Sequence, residues 1–300
     1  MTKGLVDIAR PVYEMPRSVP LVGRLGDQIG KDKIEAVGKL AGQYGGSNDI
    51  LVPFKHQNGE VIQSNLYGAI LMNVVLGDEG AKIASLASLE AAQMAYDADN
   101  SVGLNGRGIY RDLGIVLRKG KLGRNASLAP TLVDELGKMD KGLAKLGVPI
   151  VIPVSSLMLE QNSGMPDGYA LHIKKDGFVI EAPQLIAKNH NIRFSKVDVK
   201  TGLPILGEEQ GSRILYTSED ALSRLFLSGY LDLVSGDEDL AYSSSYGRVD
   251  FELGEVDAQN FARIANARVN ANIRELQTQY DSQVKTGQTK IDSIRKELGL

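Results

Sequence analysis

Hydrophobic positions along this chain fall into three regimes. Up to about residue 150 they recur mainly at helical spacing. Ile34, Val37, Leu40 and Ala41 predict a helix over 32–44, stopped by Gly45-Gly46. The apolar run 66–76 predicts a buried helix closed by Gly77, and Ile83, Leu86, Leu89 and Ala92 predict another from 78 or 79 to 95. Val133, Leu136, Met139, Leu143 and Leu146 predict a helix over 128–146, with Pro130 in its first turn and Gly147 after its end. Pro11, Pro16 and Pro20 predict an extended arm instead. A short strand is expected at 50–54 and a turn at Asn58-Gly59.

After residue 150 the pattern alternates. Residues 171–174 and 178–181 flank Asp176-Gly177 and predict a hairpin. Residues 192–199, 213–217, 230–234 and 248–253 read as further strands, and Thr217 to Asp220 reads as the cap of a short helix at 221–227.

The third regime runs from Asp257 to Leu300, without Pro and with Gly only at 287 and 299. Ile273, Leu276, Tyr280, Val284, Gly287, Ile291, Ile294 and Leu298 are spaced 3, 4, 4, 3, 4, 3, 4, a heptad seam with one stutter. A wholly helical tail would be roughly 66 Å long. A compact 250-residue body has a radius of gyration near 18 Å, hence a diameter of about 36 Å. Such a helix must wrap, break or reach a partner.

These regimes predict an α+β fold: a mainly helical region over 1–150, a mostly antiparallel β-rich region over 151–255, and a long C-terminal amphipathic helix over 256–300 for packing or oligomerisation. Three hundred residues suffice for about two domains and a substantial core. No apolar run approaches the length of a membrane span, and residues 1–20 carry spread charges with no apolar stretch of a secretory leader. A soluble, cytoplasmic chain is the expectation, with an outside assembly surface also compatible.

Composition narrows the chemistry. With no Cys, thiol nucleophiles, disulfides and thiolate metal sites are excluded. The three histidines stand in unremarkable settings: His172 on a solvent-facing strand position, His56 and His190 in turns. No Gly-x-Ser-x-Gly elbow occurs. Asp97 and Asp99 begin a run like a calcium loop, but Val102 replaces the turn glycine and Ile109 the closing glutamate. Asp237 and Asp239 form a second acidic turn. These four carboxylates are the candidate metal ligands. The glycines at 103, 106 and 108 have neither dinucleotide nor Walker spacing, so no cofactor is expected.

The net charge of −3 hides a segmental asymmetry. Arg107, Arg111, Arg118, Lys119, Lys121 and Arg124 face one acid, Asp112, whereas residues 219–257 hold ten acids against Arg224 and Arg248. The basic segment is a candidate contact for that acidic region, in the same or another copy, or for a polyanion such as nucleic acid. Tyr110 is its one aromatic, which argues against stacking of single strands. Tyr242 and Tyr246 bracket Ser243, Ser244 and Ser245, a composition suited to a partner-binding loop.

Together these features point to a non-enzymatic structural or interaction protein. It self-associates as a homo-oligomer through the C-terminal seam and the charged segments, with a protein partner for the tyrosine loop. The alternative is a carboxylate- and metal-dependent hydrolase or phosphoesterase acting on an anionic substrate.

Overall fold

The computed structural model describes residues 18–45, 48–99, 109–121, 123–207, 211–228, 231–237, 239–257 and 280–291, with single positions at 274, 277, 278, 293 and 295. In chain order, β1 (Ser18–Arg24) leads into α1 (Asp27–Ala41) and a short α2 (Asn48–Leu51). The hairpin β2 (Lys55–Gln57) and β3 (Glu60–Ile62) follows, then α3 (Leu66–Gly77), β4 (Lys82–Ile83), α4 (Leu86–Asp99), β5 (Tyr110–Leu117) and α5 (Ala129–Met139). Next come β6 (Ile150–Pro153), β7 (Leu157–Gln161), β8 (Tyr169–Ile173), β9 (Ile180–Glu181) and β10 (Ile192–Phe194). The series ends with β11 (Arg213–Thr217), β12 (Leu222–Leu227), β13 (Leu233–Asp237), β14 (Gly247–Arg248) and β15 (Asp250–Asp257).

The architecture is α+β. Ten strands form one sheet along the order β10-β11-β13-β12-β5-β14-β3-β2, with β6 on β5 and β9 on β6. β1, β15 and β4 make a second sheet, and β7 with β8 a third. Most pairings are antiparallel, as expected; β11 with β13 and β14 with β5 are parallel.

Strand β5 is the hinge of the design. Every one of its eight residues is buried. One edge pairs with β12; the other is shared by β14 at Tyr110–Arg111 and β6 at Gly114–Leu117. Gly114 has φ +149, and a Cβ there would lie 2.1 Å from the Ile152 carbonyl, so the crowded switch between partners admits only glycine. Ile115 and Leu117 enter one hydrophobic core with α1, α3 and α5, while Leu113 and Val116 enter the other with α4.

Several expected elements differ, for tertiary reasons. The helix expected from 78 or 79 begins later, at Leu86, because Lys82 and Ile83 pair with Glu252 and Phe251. Ser85 caps it, its Oγ accepting from the Ser88 N–H at 3.1 Å. The strand expected at 50–54 is replaced by α2 and a coil. Residues 222–227 form a strand rather than a helix, because they lie between β5 and β13 and are mostly buried. The hairpin over 171–181 does not close on itself: β8 pairs with β7 and β9 with β6. The turn at Asn58-Gly59 is present, with both residues at positive φ. Strands β1 to β5 arise in the region expected to be mainly helical.

The long C-terminal helix is a further correction: the continuous described helix covers 280–291, twelve residues. Ile273, Leu276, Ile294 and Leu298 of the seam lie outside the described residues.

Candidate functional site

The described part of the basic segment is divided between the interior and the surface. Arg111, within the covered strand β5, and Arg118, just after it against Ser218, Ser223 and Ser235, are buried, at 3% and 4% exposure. Arg107 lies outside the described residues. Arg111 meets Asp250, which also accepts from Arg24 Nε at 3.2 Å, joining the main sheet to β1 and β15. Lys121 pairs with Glu219, and Arg124 reaches Asp167 at 2.8 Å and Asp239 at 3.1 Å. Asp167, foremost, holds the Arg124 proton more tightly than usual.

The opposed segments therefore dock on each other inside one chain. The exchange runs both ways, since Arg224 of the acidic region meets Asp112 of the basic one in the interior. Burial opposes the Arg224 charge, but Asp112 outweighs it, and the net shift is upward. The Arg224 guanidinium lies 5.0 Å from the ring centroid of Tyr110 and 5.4 Å from that of Phe226.

Of the candidate metal ligands, Asp237 and Asp239 are taken up by a turn. Asp237 Oδ1 accepts from the Asp239 N–H at 2.9 Å, and Asp239 Oδ1 from the Ala241 N–H at 3.1 Å. Both thus serve the turn between β13 and β14, with Asp239 also holding Arg124. Asp97 and Asp99 sit at the end of α4, and their side chains lie outside the described residues. Among the described residues no three His, Asp or Glu side chains could share a metal ion.

Two features stand free of the body. The first is the loop 242–246. Its backbone is fixed from below: Tyr110 Oη accepts from the Ser244 N–H at 3.0 Å and donates to the Ser64 carbonyl at 2.7 Å. Arg224 donates to the Tyr242 carbonyl at 2.9 Å and Arg248 to that of Ser245 at 2.7 Å. Yet the side chains of Tyr242 and Tyr246 are 53% and 57% exposed. The loop thus presents two exposed rings on a fixed backbone.

The second is the C-terminal helix. Every described residue from 274 onward is exposed. Tyr280, Val284 and Ile291, spaced 4 and 7 along one stripe, are 67%, 52% and 48% exposed. A Cβ added at Gly287, between them on the seam, would meet nothing within 4 Å.

Sequence reasoning missed two polar clusters. One lines a cavity of about 560 Å³ beside α4. There Lys82 bridges Glu252 at 2.7 Å, Glu252 Oε2 accepts from the Ser85 N–H at 3.2 Å, and Ser85 Oγ lies 2.6 Å from Ser88 Oγ. Arg213 clamps Glu90 with both terminal nitrogens. Lys82 and Arg213 occupy the two carboxylates, and no imidazole is among the lining residues to activate either serine. The other cluster is His172 on β8, between Glu135 of α5 and Glu160 of β7, each at 2.8 Å. Glu135 also accepts from the Ile173 N–H at 2.7 Å, so it ties α5 to the small sheet. Neither cluster had a motif, because its members are drawn from separate elements.

No family model matches the chain, and neither a curated protein nor a solved structure matches it. Among the described residues no helix is long and apolar enough to cross a membrane.

Proposed function

We propose that this chain is a structural protein that assembles with copies of itself through its C-terminal helix, with the Tyr242–Tyr246 loop as a second contact. The observation that carries this reading is the exposure of Tyr280, Val284 and Ile291 on a helix that its own subunit leaves uncovered. In water most of a helix's stability comes from packing an apolar face against something else. The body supplies no such cover to the described residues. A second copy would, because a heptad-spaced stripe is self-complementary. Residues 280–297 carry Lys285, Lys290, Arg295 and Lys296 against Asp281, Asp292 and Glu297. Two identical helices of such mixed sign can pair without strong repulsion. The charged segments 107–124 and 219–257 are not part of this proposal, since Arg111, Lys121, Arg124 and Arg224 pair within the chain.

The test is the mass in solution of the full chain, of a chain ending at Val256, and of V284D/I291D, each by light scattering. Higher-order species in the full chain alone support the proposal. A monomeric full chain, or undiminished assembly in both variants, overturns it.

A further inference from the structure

Three arginines are buried among the described residues, and one is anomalous. Arg111 meets Asp250 and Arg224 meets Asp112. Among the described residues Arg118 has no carboxylate within salt-bridge reach. Its terminal nitrogens donate to neutral acceptors: the Ser218 carbonyl, Ser223 Oγ at 3.0 Å and the Ser235 carbonyl at 3.0 Å. Its Nε has no hydrogen-bond partner among the described residues. Burying a guanidinium without a counter-charge is costly. The cost shows in its proton affinity, which burial pulls down to about 10 against a weaker pull from Asp220.

Arg118 lines a cavity of about 400 Å³ between the end of β5 and the turn before β12. Lys119 and Lys121 line it too, both exposed at its mouth, and Glu219 is the one carboxylate among the lining residues. Lys119 has no ion-pair partner among the described residues. Gly120 lets the two segments close: a Cβ there would lie 2.2 Å from the Glu219 carbonyl. Leu146, Pro149 and Ile186 form an apolar wall.

We infer that this cavity binds a phosphate group, with Lys119 and Lys121 as direct contacts and Arg118 as the buried charge behind them. Three cations outnumber Glu219 and Asp220, the two carboxylates that act on them, and the excess suits a group that carries about −1.5 to −2 near neutral pH. The volume exceeds that of phosphate alone, and the apolar wall gives room for a small organic body. Inorganic phosphate and a phosphate monoester share the recognised chemistry; the wall favours the monoester. This inference is independent of the assembly proposed above.

Calorimetric titration of the full chain at low salt, with inorganic phosphate, phenyl phosphate and benzoate, tests it. Phenyl phosphate is expected to bind tightest and benzoate weakest. K119Q/K121Q, altering exposed side chains only, should weaken both phosphates at least tenfold with the melting temperature unchanged. Glu219→Gln should strengthen them, because it removes the opposing charge. Absence of phosphate binding at millimolar concentration, or equal binding by wild type and K119Q/K121Q, overturns the inference. Tighter phosphate than phenyl phosphate overturns the monoester preference.

Discussion

The guanidinium of Arg224 and the carboxylate of Asp112 face each other inside the main sheet, each side chain only about 1% exposed. They come from adjacent strands, β12 and β5, and the site is completed by Ser64, whose Oγ donates to Asp112 Oδ2 at 2.6 Å. Removing one partner of a buried pair strands the other charge in a medium that cannot solvate it. Asp112→Ala is therefore expected to destabilise the fold by about 3–5 kcal/mol. Replacing both residues with apolar side chains of similar volume should cost less than that. Urea denaturation of the single and double variants checks the order, and a milder loss in the single variant would show that the pair contributes little.

The exposed rings of Tyr242 and Tyr246 have a separable role, because the loop backbone is held by Tyr110, Arg224 and Arg248 rather than by the rings themselves. Y242A/Y246A should leave the melting temperature near wild type. If the loop is a contact between copies, the association constant should fall about tenfold or more, as for aromatic anchors elsewhere. Sedimentation across a concentration series reads this, and an unaltered association constant would remove the loop from the interface.

Asp198 makes a pH prediction. Its Oδ1 accepts from Thr201 Oγ1 at 2.8 Å, from the Thr201 N–H at 2.9 Å and from the Lys200 N–H at 3.1 Å. The Thr201 hydroxyl, foremost among these, holds the carboxyl below the ordinary aspartate range. The folded state thus binds this proton less readily than the unfolded chain. The associated stability is fully present above about pH 4 and is lost as pH falls through the lowered value. Thr201→Val should raise the Asp198 titration midpoint toward the ordinary value. Carboxyl NMR titration of both forms measures it, and an unmoved midpoint would refute the assignment.

The parts of the fold that were legible are those governed by local chemistry. Helix α3 was readable from the run after Asn65, and the structure shows why it starts there. Asn65 Oδ1 accepts from the Gly68 N–H at 2.7 Å, while its Nδ2 donates to the Ile50 and Ala241 carbonyls. The Asn58-Gly59 turn was likewise readable, since few residue pairs tolerate two positive φ angles. Strand β12 was not, because a short apolar run has no period that separates helix from buried strand. Arg111 and Arg118 misled for a related reason. Their charge suggested solvent, and only tertiary packing turns them inward.

By itself the sequence determined the α+β class, the absence of thiol chemistry, the balance of charge and the apolar stripe at the C-terminus, since each follows from residue type and near-neighbour spacing. The tertiary structure decided which charges meet. The pairing of Arg224 with Asp112, of Arg111 with Asp250 and of Arg124 with Asp239 joins residues more than a hundred positions apart. It also decided that, among the described residues, Arg118 is left without a counter-ion and Tyr280, Val284 and Ile291 are left uncovered. Electrostatic energy depends on distance and burial, and no local pattern in the chain encodes either.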